Sequence, residues 1–142
     1  SHIINRGSQD ITLSLSKSLQ IPIPRAEEIK RSVGLSLDPS NRQVNETISL
    51  LLDYIFSESH RALLSFEKRF NKTMSKIVLT GGGSTLKGFP KSAGLHFQSD
   101  VSVADPFSKT VSPAFLGNVL RDIGPDFSVA VGVALQKLTH SE

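Results

Sequence analysis

Residues Lys76–Pro90 read KIVLTGGGSTLKGFP. Ile77, Val78 and Leu79 form a short apolar, β-branched-rich run with the length and flanks of a buried strand. Three glycines follow at Gly81, Gly82 and Gly83. They remove side chains in succession, so the backbone can turn through dihedrals closed to other residues and a flat ligand can approach the main chain. Ser84 and Thr85 are placed to cap a following helix, whose first N–H groups favour anions. Two common nucleotide fingerprints fail here. Phe89 stands where a phosphate-binding P-loop needs Lys, and Leu86 where the dinucleotide motif needs its last glycine. By itself the segment is either a ligand cradle or a glycine turn without a ligand.

Downstream, Phe89–Phe97 reads as a short helix ending near Gly94 or His96, and Val101, Val103 and Ala104 as a second strand closed by Asp105-Pro106. Strand, glycine turn, helix and strand make a βαβ unit, which predicts parallel strands joined by a right-handed crossover. A helical pattern covers Pro113–Ile123. A separate last helix is expected to open at Gly124-Pro125-Asp126, with Asp126 as its cap and Val129, Ala130, Val133, Ala134 and Leu138 as its apolar stripe. Asp122-Ile123-Gly124 looks like the Asp-x-Gly of a phosphate-binding strand. It ends a helical pattern and precedes a proline, so that reading is rejected.

Upstream, Ile3–Gln9 reads as the end of an extended segment with a turn at Gly7-Ser8. From Asp10 the spacing of Ile11, Leu15 and Leu19 predicts a helix, broken by Ile21-Pro22-Ile23-Pro24. A second helix begins near Pro24 or Arg25 and ends at about Gly34. It places Glu27, Lys30 and Arg31 on one side, either as a solvated salt-bridged face or as part of a site. A polar loop covers Ser36–Gln43. Val44, Ile48, Leu51, Leu52, Ile55, Leu63, Phe66 and Phe70 then recur at helical spacing, as one core-facing helix or two with a break near Ser57–Ser59.

Composition narrows the classes. The chain has 142 residues, 38% hydrophobic and 20% charged, as in an ordinary globular domain or part of one. With no cysteine, disulfides, thiolate metal sites and cysteine nucleophiles are excluded. His2, His60, His96 and His140 show no ligand-like spacing, so no structural metal is expected, and His60 reads as a surface residue. The net charge of +3 is a mild excess, and no nucleic-acid partner is expected. Lys68, Arg69, Lys72 and Lys76 cluster at one helix end, read as solvated. No run approaches the roughly 20 apolar residues of a membrane span and no secretory signal opens the sequence, so the expected compartment is cytosolic.

Three pieces resemble, in order, the second half of the actin-like ATPase superfamily, which includes actin, the DnaK-type chaperones, FtsA and PilM. The helix with Ala26-Glu27-Glu28-Ile29-Lys30-Arg31 resembles the one that flanks the adenosine there. Gly82-Gly83-Ser84-Thr85 resembles the adenosine motif, and Pro125–Ala134, PDFSVAVGVA, the helix that closes the domain. GGGSTLKGFP, VADPFSK, PAFL, IGPDFSVAVGVAL and Arg6–Thr12 are most similar to the PilM family of the type IV pilus alignment complex. The resemblance covers most of the chain and is weakest over 35–45.

The resemblance implies an α/β fold: a partial actin-like (ribonuclease H-like) domain spanning 3–140, with a short parallel βαβ core, flanking helices and the N-terminal strands of the sheet missing. Residues 3–75 would be its helical part and 76–140 its βαβ core and closing helices. It implies that Glu27, Lys30 and Arg31 contact ribose and adenine, that Gly82, Gly83 and Ser84 form a backbone cradle beside the nucleoside, and that Asp126 lies near the purine edge. It implies ATP, with Mg²⁺, as the ligand of a full-length protein, and a cytoplasmic scaffold peripheral to the inner membrane. Its partners would be the tail of a PilN-like membrane protein, bound chiefly through the absent half, and other pilus machinery. Self-association is a further expectation for a sheet lacking strands. The phosphate motifs and Mg²⁺ groups have no counterpart in this sequence, so hydrolysis by this chain alone is not expected. An FtsA-like or filament-forming ATPase and a small α/β interaction domain without nucleotide are the alternatives.

Overall fold

A computed structural model describes residues 1–36 and 38–139. His140, with the expected domain end at that residue, and Leu37 of the polar loop lie outside them. In order come helices α1 (Ser8–Leu19), α2 (Ile23–Val33) and α3 (Arg42–Phe70), strand β1 (Lys76–Leu79), α4 (Phe89–Phe97), β2 (Asp100–Val103) and α5 (Gly117–Thr139). The strands pair in parallel, Lys76 opposite Asp100 through Leu79 opposite Val103, as the βαβ reading requires. The α/β fold with a short parallel core is therefore observed, and helices make up most of it.

α1 starts at Ser8 rather than Asp10. The Asp10 carboxylate reaches back to accept the Gly7 N–H at 2.8 Å, which satisfies a donor that the first turn leaves unpaired. Pro24 falls in the first turn of α2, where its missing N–H costs nothing. α3 runs unbroken for 29 residues, so of the two alternatives the single helix is observed, with no break near Ser57–Ser59. Phe56 in that stretch is buried, with its ring stacked on Phe89 at 5.7 Å and edge-on to Phe97 at 5.5 Å. Val44, Ile48, Leu52 and Phe56, each four residues after the last, form the buried stripe of α3. They pack with Ile11 and Leu15 of α1, Ala26 of α2, and Leu86 and Ala93. Phe66 and Phe70, expected in the same stripe, are exposed.

The end of the chain departs most from expectation. Pro125 lies inside one continuous helix, α5, instead of opening a new one, and Asp126 is therefore not a cap. The proline removes one backbone hydrogen bond, but its ring is fully buried and its carbonyl accepts the Gly81 N–H at 2.9 Å. Gly124 lets Pro106 come close, since a Cβ there would stand 3.1 Å from Pro106 Cδ. Tertiary packing thus holds a helix that local preference would end. The stripe of Val129, Val133 and Leu138 on its second half is exposed, not buried.

Ser84 and Thr85 also differ from expectation. They belong to a 3₁₀ turn over Gly82–Thr85, and their hydroxyls donate to the carbonyls of Gly81 at 2.7 Å and Gly82 at 2.8 Å. The residue before α4 is Gly88, in the left-handed region at φ +81°. Of the three consecutive glycines, only Gly81 takes a positive φ, +80°.

Candidate functional site

The glycine turn, α2 and α5 meet at a polar cleft of about 400 Å³. α2 supplies Glu27, Lys30 and Arg31, the turn supplies Gly82, Gly83 and Thr85, and α5 supplies Asp126. Ser8 of α1 closes one side. The expected residues Glu27, Lys30, Arg31, Gly82, Gly83 and Asp126 are thus brought together from three separate elements. Ser84 is not among them: its side chain is buried inside the turn. Ser8, Thr85 and Leu86 also line the cleft without having been expected as contacts, although Thr85 belongs to the quoted motif; for Ser8 the spacing of Ser8 and Thr12 on one face of α1 was the available signal.

Two hydrogen bonds between distant segments hold one pair of walls in place. Leu35, just past α2, donates its N–H to the Lys87 carbonyl at 2.9 Å, and Lys87 Nζ donates to the Ser32 carbonyl at 2.8 Å. The segments touch so closely that a Cβ on Gly34 would lie 2.7 Å from the Lys87 carbonyl oxygen. On the other side, the Gly81–Pro125 hydrogen bond ties the turn to α5. A Cβ on Gly82 would lie 2.5 Å from Asp126 Oδ1, so the absent side chain is what lets this carboxylate sit against the turn.

The charges alternate around the cleft. Glu27 accepts from Lys30 at 2.6 Å and from Arg31 Nε at 2.8 Å. Partial burial pushes the Glu27 carboxyl up, but hydrogen bonds from Lys30, Thr12 and Arg31 and the Lys30 charge outweigh it and bring the pKa down to about 2. Arg31 is held above its ordinary value by its hydrogen bond to Glu27, by that residue's charge and, across the cleft, by the charge of Asp126. Lys30 is only 6% exposed. Its ammonium is surrounded by protein oxygens, whereas the Arg31 side chain is 78% exposed.

Such a cleft suits a flat, neutral, hydroxyl-bearing group better than a polyanion: a glycine wall for a ring, carboxylates for hydroxyl or amino donors, and one exposed guanidinium. The donor set fits a nucleoside. Among the described residues no three His, Asp or Glu side chains gather as metal ligands.

The sequence profile of the type IV pilus assembly protein PilM matches residues 4–138. The chain belongs to the PilM family. A solved PilM-PilN type IV pilus biogenesis complex contains a chain that superposes with a TM-score of 0.76 at 26% identity, over 90% of this chain and 36% of that one. The cell division protein FtsA of Helicobacter pylori (strain J99) is 30% identical over 92% of this chain and 31% of its own length. The chain thus spans about a third of the length of these relatives. The matched residues include α2, the glycine turn and α5, which line the cleft together with Ser8 of α1. Among the described residues no helix is long and apolar enough to cross a membrane.

Proposed function

We propose that the cleft binds the nucleoside part of ATP, and that the intact protein serves as a cytoplasmic actin-like scaffold of the type IV pilus machinery. The observation that carries this is the convergence of Glu27, Lys30 and Arg31 with Gly82, Gly83 and Asp126 on one cleft. In this reading the adenine lies against the Gly82-Gly83 backbone with the Arg31 guanidinium over its other face. Glu27 accepts a ribose hydroxyl, Asp126 accepts from the edge of the base, and Lys30 contributes charge from behind Glu27. Phosphates and Mg²⁺ are left to parts of the intact protein outside this chain, so the chain by itself binds without catalysing. The solved relative is a complex with PilN, which supports a PilN-like tail as partner of the intact protein.

Calorimetric titration with adenosine and with ATP tests the cleft. Saturable binding of both is expected, abolished by Gly83→Leu, whose side chain would grow toward Ser8 and fill the cleft; the first atom alone fits, since a Cβ at Gly83 lies 3.5 Å from Ser8 Cβ. No saturable binding, or binding indifferent to Gly83→Leu and Glu27→Ala, would sink the reading and favour an interaction domain in which the glycines only turn the chain.

A further inference from the structure

Lys30 and Thr12 are both almost fully buried, at 6% and 3% exposure, beside the cleft yet on different helices. Lys30 Nζ lies 2.7 Å from Ser8 Oγ, 3.2 Å from the Ser8 carbonyl oxygen and 3.0 Å from Thr12 Oγ1. It also lies 2.6 Å from Glu27 Oε2. An ammonium has three donors and no acceptor, so these four oxygens use all of its hydrogen-bonding capacity inside the protein. Because Lys30 must donate to Thr12, the single Thr12 proton is free to go elsewhere. Its shorter contact is Glu27 Oε2 at 2.5 Å, against 3.2 Å to the Ser8 carbonyl. Glu27 Oε2 thus receives two donors, while Oε1 receives only Arg31 Nε at 2.8 Å and keeps acceptor capacity for a ligand.

From this geometry we infer that Thr12 is a positioning residue of the cleft: its hydroxyl donates to the same Glu27 oxygen that Lys30 meets directly and so fixes the carboxylate with one oxygen satisfied and the other open to a ligand hydroxyl. Lys30 is then spent within the protein and acts on the ligand through Glu27. The inference rests on the nucleoside reading of the cleft. It also explains why α1 belongs to the site, since Ser8 and Thr12, one turn apart, join its first turn to α2.

Thr12→Val keeps the shape and removes the hydroxyl, and Thr12→Ser keeps the hydroxyl. In Thr12→Val, the Glu27 carboxyl followed by carbon NMR should titrate at higher pH than in the parent, and adenosine affinity should fall about tenfold. Thr12→Ser should restore both. In a Glu27→Gln background, Thr12→Val should cost adenosine binding nothing more, as required of a residue that acts through Glu27. Should Thr12→Val not fold, Thr12→Ala carries the same measurements. A folded variant that binds adenosine as the parent does, or that loses as much affinity in the Glu27→Gln background, overturns the role of Thr12 while leaving the cleft reading intact. Absence of adenosine binding in the parent overturns the cleft reading and the role of Thr12 together.

Discussion

The two halves of α3 are built from similar residues and sit in unlike surroundings. Its first half buries Val44, Ile48, Leu52 and Phe56 against α1, α2 and α4. Its second half turns Leu63 and Phe66 toward β1 across an open apolar groove of about 550 Å³, which Ile77, Val78 and Phe97 also line. The polar cleft lies on the side of the first half. The cleft residues of α1 and α2 thus stand on helices packed into the closed part of the core, and the open groove shares none of the residues that line the cleft. Hydrophobic periodicity along a helix states which residues can be buried, and only the neighbours decide whether they are.

The sharpest way to break this contrast is Ile48→Ala, which empties a fully buried position and is expected to cost roughly 3–4 kcal/mol by urea denaturation. Next comes Gly34→Ala. The residue has φ +57° and the new Cβ would stand 2.7 Å from both Lys87 Cβ and the Lys87 carbonyl oxygen. A loss of about 2–3 kcal/mol is expected, with weakened adenosine binding because α2 and the glycine turn are pushed apart. Gly81→Ala, at φ +80° and ψ 166° with open space around it, should cost about 2 kcal/mol, from backbone strain alone.

Acid provides a smaller and reversible effect. The folded pKa of Glu27 is depressed to about 2 from an ordinary 4.5, so its contribution is complete above the unfolded value and is lost as the pH falls from about 4.5 through about 2. Allowing for a side chain that is 32% exposed, the loss is on the order of 1–2 kcal/mol, and Glu27→Gln should flatten the stability profile in that window. The smallest effect belongs to the groove. Phe66→Ala, at a position 41% exposed, should cost about 1 kcal/mol or less. A Phe66→Ala penalty equal to that of Ile48→Ala would show that the groove is closed in solution, and the contrast between the halves of α3 would fall.

Much of the cleft was legible because its chemistry is local. The acid and bases of α2 share a helix face by spacing alone, and Gly82 and Gly83 announce a backbone with room beside it. Less legible was the division of labour. Lys30 reads as a ligand contact in the sequence, yet its ammonium is surrounded by Ser8, Thr12 and Glu27 oxygens. Ser84 reads as part of a backbone cradle, and the spacing gives no sign that its hydroxyl turns inward to the Gly81 carbonyl. Gly34 reads as a helix end, and Gly88 has no distinct reading from spacing. They prove to be where the two cleft-bearing segments touch, a Cβ on Gly88 standing 2.9 Å from Leu35 Cβ. Such roles depend on contacts between residues distant in the chain, which no spacing rule encodes.

The amino-acid sequence by itself determined the parallel βαβ order, the helix faces and the residue types gathered at the cleft, because hydrophobic period, glycine and proline act within a few residues of where they stand. The tertiary structure alone decided that Pro125 continues a helix, that Phe56 is core while Phe66 is not, and that a buried hydroxyl on α1 sets the carboxylate on α2. Each of those outcomes is a balance between a local preference of about 1–3 kcal/mol and packing or hydrogen bonds of similar size supplied by another segment, and the balance exists only once the segments have met.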